Sequence, residues 1–143
     1  MTDNKLGIVA RQEISYDLFE GILVTALERG STYWYSFIEL EYTTDFDKDK
    51  FATDSGVIRL AKMVWYEHIN LRVMDANDYD KFLGEVNLLS IETAFETIRS
   101  QYPVTYVKLI LENYDADDAD LFFQIATFGK ITFRKNTKKS KND

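Results

Sequence analysis

SYDLFEGILVTALERGSTYWY, residues 15–35, joins an amphipathic run to three consecutive aromatics. Phe19, Ile22, Leu23, Ala26 and Leu27 recur at intervals of three and four, which places them on one stripe of a helix over Tyr16–Arg29. Asp17, Glu20, Glu28 and Arg29 take the opposite side. Ser15 stands where its hydroxyl accepts a first-turn N–H, and Asp17 puts negative charge at the positive end of the helix dipole. Gly30 ends the run, where a residue that turns left-handed without a clash is expected. Tyr33, Trp34, Tyr35, Phe37, Ile38, Leu40 and Tyr42 then carry too much apolar area to be left in water. The turn at Gly30 and Ser31 is therefore expected to fold this aromatic segment back onto the helix, with Tyr33–Tyr42 as a strand.

Working outward, Leu6–Ile14 alternates enough to predict a short strand before the helix. Thr43–Ser55 reads as an exposed loop in which Asp45, Asp47, Asp49 and Asp54 interleave with Lys48 and Lys50. A calcium loop would need a glycine at its turn, and the two lysines oppose a divalent ion, so no metal is assigned. Val57–Tyr66, His68–Met74 and Phe82–Leu88 predict three further strands, with turn chemistry at Asp75–Lys81. Ser90 is expected to cap a second helix whose buried stripe is Ile91, Ala94, Phe95 and Ile98, ending near Pro103. Val104–Leu111 fits a helix and a strand about equally. A third helix opens on Asp115, Asp117, Asp118 and Asp120, buries Leu121, Phe122, Ile125 and Phe128, and closes at Gly129 and Lys130. Ile131–Phe133 is expected as a last strand. The sum is an α+β domain over residues 1–134, an antiparallel sheet of about four to five strands packed with about three helices, followed by a disordered basic tail over 135–143.

Composition narrows the chemistry. At 143 residues, 45% of them hydrophobic and 15% aromatic, one domain with a sizeable core is expected. With no cysteine there is no disulfide or thiolate site, and with His68 as the single histidine no multi-histidine metal centre. The glycines form no phosphate loop. His68 is the one available base for nucleophilic catalysis, and the sequence around it reads instead as a strand histidine with an exposed edge. No cofactor is assigned. The polar start lacks a signal-peptide core and no run is long enough to cross a bilayer, so a cytoplasmic address and no membrane partner are expected.

The net charge of −7 is uneven. Residues 130–143 hold six cations and one anion, about +5, which leaves about −12 on the residues before them. That body repels nucleic acid, so direct nucleic-acid binding is disfavoured. The tail reads as a solubilising terminus, with a weak nucleic-acid or membrane-surface arm as the alternative.

Two stretches carry a resemblance: ALERGSTYWY, residues 26–35, and DADDADLFFQIATFG, residues 115–129. They resemble a family of small uncharacterised proteins encoded by bacteriophages and related mobile elements. In that family a helix ending in a glycine, small-polar, aromatic turn sits near the start and an acidic helix with a Gln and a final Phe-Gly near the end. The resemblance implies a phage-derived protein acting in a host cytoplasm and assigns no catalytic residues. The basic tail departs from family members that finish soon after Phe-Gly.

The shared pattern has two readings. In one it is a fold signature, with Trp34 and Tyr35 packed over the helix of Phe122, Ile125 and Phe128. In the other, Tyr33, Trp34, Tyr35, Asp118 and Gln124 line a pocket for a planar, nucleotide-like ligand. The leading functional expectation is a non-enzymatic protein that binds a host or defence protein through an acidic surface including Asp45, Asp47, Asp49, Asp115 and Asp117. An anti-defence inhibitor or nucleic-acid mimic is a form of it, sequestration of a small nucleotide is the alternative, and the aromatic segment and a free sheet edge also invite a homodimer.

Overall fold

The structure, a computed structural model, describes residues 12–41 and 49–135. The expected strand over residues 6–11, the acidic loop over 43–48 and the tail beyond Lys135 lie outside these; Gln12–Ser15, which is described, forms no strand.

Helix α1, Tyr16–Thr25, starts on Ser15, whose Oγ accepts the Leu18 N–H at 3.1 Å. It buries Leu18, Phe19, Ile22 and Leu23, and continues into a π-helical turn, Ala26–Gly30, closed by the Ser31 N–H on the Ala26 carbonyl at 2.8 Å. Gly30 is not left-handed as expected: Gly129 is the one described glycine with positive φ. A Cβ at Gly30 would instead lie 2.2 Å from the Ala116 carbonyl oxygen, so close approach of a later helix explains the glycine.

Strands β1 (Tyr35–Leu40), β2 (Leu71–Asp75) and β3 (Phe82–Val86) form an antiparallel sheet in sequence order. Ile38 stands opposite Val73 and Val73 opposite Gly84, while Leu40, Leu71 and Val86 share the next inward row. Glu39, Arg72 and Glu85 form the outward row between them, with Arg72 Nε 3.0 Å from Glu39 Oε1. The four to five strands expected are thus three among the described residues, and the three helices are five.

Helix α2, Gly56–Glu67, replaces the strand expected over Val57–Tyr66. Its β-favouring residues Val57, Ile58, Val64 and Trp65 hid a helical interval, Val57–Leu60–Ala61–Val64–Trp65, whose Ala61 and Val64 are fully buried. His68 ends α2 in the left-handed region at φ 58° instead of opening a strand. Helix α3, Leu88–Gln101, is capped by Asn87 and not Ser90: the Asn87 side chain accepts the Ser90 N–H at 2.9 Å and Ser90 Oγ accepts the Asn87 N–H at 3.0 Å. The expected stripe Ile91, Ala94, Phe95 and Ile98 is buried. Pro103 begins helix α4, Pro103–Ile110, at the position that tolerates its missing N–H, which settles the ambiguous segment as helical.

Helix α5, Ala116–Phe128, lies at the centre and touches α1, the π-turn, α3, α4 and β3. Asp115 and Asp118 cap it reciprocally, and Gly129, at φ 81°, ends it with its N–H on the Ile125 carbonyl at 2.8 Å. Because neighbours surround it, α5 buries Ala119, Phe122, Phe123, Ile125 and Ala126 and also the polar Asp118, Asp120 and Gln124; Leu121 and Phe128 are only partly buried. A Cβ on Gly84 would meet the Thr127 carbonyl oxygen at 2.8 Å, which fixes how closely α5 crosses the sheet. Ile131–Phe133 forms no strand; its backbone is held by a side chain of α5, as described below.

Replacing Gly30 by Ala forces the π-turn and the start of α5 apart and is expected to cost about 1–3 kcal/mol. Gly56→Ala, where an added Cβ meets nothing, leaves stability unchanged or raises it by up to about 1 kcal/mol. Urea unfolding of the two variants measures the contrast.

Candidate functional site

The aromatic turn and α5 meet around one carboxylate. Asp120 and Gln124, four residues apart, share a face of α5, and the turn after the π-helix lays Ser31, Tyr33 and Trp34 against it. Ser31 Oγ and Trp34 Nε1 both donate to Asp120 Oδ1 at 2.7 Å. Tyr33 OH donates to Oδ2 at 2.7 Å, and Gln124 Nε2 to the same oxygen at 3.0 Å. Four donors on two carboxylate oxygens fill the acceptor capacity of the group. Among the described residues no Lys or Arg pairs with Asp120, so its charge rests on hydrogen bonds alone.

The same face anchors the last described segment. Gln124 Oε1 accepts the N–H groups of Thr132 and Phe133 at 2.8 and 2.7 Å, while Gln124 Nε2 reaches the Phe133 carbonyl at 3.0 Å. The Phe133 ring then stacks on Trp34 at 5.4 Å, Phe123 also stacks on Trp34 at 5.2 Å, and Phe128 lies 5.3 Å from it. Trp34 is 3% exposed, Gln124 1% and Asp120 8%. Burial, reinforced by the hydrogen bond to Asp120, holds the Tyr33 hydroxyl well above its ordinary range, so at neutral pH it is a donor and not a base. The arrangement joins three parts of the chain and leaves its polar atoms already partnered.

Of the five candidate ligand residues, Tyr33, Trp34 and Gln124 converge on this cluster, and Tyr35 and Asp118 do not. The Tyr35 hydroxyl donates to the Leu27 carbonyl and burial pushes it up to about 12, while its ring packs edge-on to Phe123. Asp118 caps α5 and meets Lys108 Nζ at 2.8 Å. Asp120 and Ser31, the hub and one of its donors, were absent from the candidate set; the four-residue interval from Asp120 to Gln124 was the available signal.

Of the candidate partner surface, Asp45 and Asp47 lie outside the described residues. Asp49, Asp115 and Asp117 are exposed. Hydrogen bonding to the Asp118 backbone N–H holds the Asp115 carboxyl below its usual range. His68 is exposed at the end of α2. Among the described residues no cluster of carboxylates and histidine has the arrangement of a metal site, and no helix is long and apolar enough to cross a membrane.

A separate concavity of about 610 Å³ opens between Gln12–Ile14, Trp65 and one stripe of α3. Ile14, Trp65, Ile91 and Phe95 supply its apolar walls, and Glu13, Glu92, Glu96 and Arg99 its charged ones. Arg99 Nη2 is 2.6 Å from Glu96 Oε1.

Comparison of the chain with family models, curated proteins and solved structures gives no match.

Asp120→Ala strands four donors and is expected to cost about 3 kcal/mol or more, whereas Trp34→Phe, which removes one donor and little area, costs about 1–3 kcal/mol. Denaturant midpoints of the two variants give the ranking. Because the Asp115 carboxyl is lowered in the folded chain, its contribution is present above the unfolded value of about 3.9 and is lost as pH falls through the folded one. Asp115→Asn therefore flattens the acid limb of a stability profile below about pH 4.

Proposed function

We propose that the chain is a non-enzymatic interaction protein of phage origin that acts in the host cytoplasm by binding a host or defence protein through its acidic surface. The observation that carries this reading is the closure of the aromatic turn: Ser31, Tyr33, Trp34 and Gln124 spend their polar atoms on Asp120 and on backbone, so the turn presents a filled core in place of an open donor set. Recognition is then left to the exterior, where Asp49, Asp115 and Asp117 are exposed and where about −12 of formal charge precedes the basic tail. Phage origin rests on the two resembling stretches alone. Inhibition of a defence protein, or occupation of a basic groove in place of nucleic acid, is the form of binding this charge suits best.

Protein retained from host lysate on the immobilised chain, identified by mass, tests the proposal. Retention at about 0.05 M salt and loss by about 0.5 M is expected, since screening shortens the range of surface charge; salt-independent retention counts against an acidic contact. The sequestration alternative is measured by thermal shift with nucleotides. A ligand at 100 times its dissociation constant stabilises by about 2.7 kcal/mol, and no such shift is expected.

A further inference from the structure

We infer that the concavity along α3 is the seat of a cationic amphipathic segment of the partner protein. The inference rests on the acidic-surface reading above and deepens it by naming where on that surface the partner sits and what it must carry.

The first ground is shape. Leu88, Ile91, Glu92, Phe95, Glu96 and Arg99 stand at i, i+3, i+4, i+7, i+8 and i+11, so a single stripe of α3 forms one wall. At 1.5 Å per residue that wall runs about 16 Å, long enough for several residues of a peptide. The volume of about 610 Å³ falls in the range of roughly 300–1,000 Å³ found for ligand sites.

The second ground is the pairing of an apolar floor with a charged rim. Ile91 and Phe95 are largely buried and form the bottom, while Trp65, stacked on Phe19 at 5.1 Å, presents a rigid aromatic side wall. Around them stand three carboxylates and one guanidinium, and the guanidinium is committed to Glu96. Glu13 and Glu92 form no salt bridge among the described residues. The rim therefore has a surplus of two negative charges facing an apolar trough. A segment with apolar side chains on one side and Lys or Arg beside them complements both features at once, by the helix-in-groove or extended mode of peptide recognition. An anionic ligand would meet uncompensated carboxylates, and a purely polar cation would leave the floor wet.

A fluorescein-labelled eight-residue peptide of Lys and Leu in the order KLLKKLLK, followed by anisotropy, tests this on the full chain. Two control peptides separate the contributions, one with each Leu replaced by Ser and one with each Lys replaced by Glu. Binding of the first peptide alone is expected. The double variant Glu13→Lys with Glu92→Lys, whose altered side chains are exposed, should weaken it by about tenfold or more, whereas Asp80→Lys, exposed in the turn between β2 and β3 and outside the groove lining, should change it by less than about twofold. Thermal unfolding checks that the variants keep their fold. No binding of the Lys and Leu peptide, equal binding of the Ser control, or an effect of Asp80→Lys larger than that of the double variant would overturn the inference. Lysate retention by the double variant then separates the two levels: a host protein still held in a salt-dependent way leaves the acidic-surface reading standing without the groove, and loss of that protein together with the peptide supports both.

Discussion

The Asp120 carboxylate is the constraint from which the architecture follows. A charged group 8% exposed is costly unless its oxygens are filled, and here Ser31, Tyr33, Trp34 and Gln124 fill them. Three of those donors come from one turn of four residues, Ser31–Trp34, so the turn has little freedom once Asp120 is in place. To reach it, the π-turn must press against the first residue of α5, and only a glycine at position 30 permits that approach. The identity of Gly30, the wide turn before it and the aromatic triplet after it are thus consequences of one buried acid.

Around that polar centre the packing is apolar and aromatic. Trp34 lies among Phe123, Phe128 and Phe133, and Phe122 links Phe19 of α1 with Phe95 of α3. Complete burial of each such side chain contributes roughly 1.5–3 kcal/mol, while the hydrogen bonds add specificity by accepting only one relative placement of turn and helix. Gln124 extends the logic to the segment after α5: its amide takes two N–H groups and offers its own N–H to a carbonyl, as a neighbouring strand would. That is why Ile131–Phe133 is held in place without belonging to the sheet.

Much of this was legible from local pattern. The stripes of α1, α3 and α5 and the three strands follow from periodicity, and Gly129 closes α5 as a left-handed cap should. The failures have specific causes. In α2 the β-favouring side chains outweighed a helical interval. At α3 the serine signal falls three residues late, because Asn87 and Ser90 cap each other and the sequence pattern marks only the serine. The hub is hidden for a deeper reason: an aspartate among four acids within six residues, Asp115 to Asp120 with alanines between, looks like solvated helix-start charge, and only the tertiary approach of a turn 86 to 89 residues away turns it inward. The groove was equally invisible, because its walls come from residues 12–14, Trp65 and α3, which no local spacing connects.

The separation of Asp120 from Ser31 and Trp34 also bears on how the molecule is made. Bringing positions 89 and 86 residues apart together is a long loop closure, costly in chain entropy and slow to nucleate. On a ribosome, Trp34 emerges long before its acceptor does, and Phe133 later still. The first helix and its aromatic extension therefore wait, with their apolar surface uncovered, until the chain through α5 and Phe133 has been synthesised, which makes α5 a late and obligatory piece of assembly.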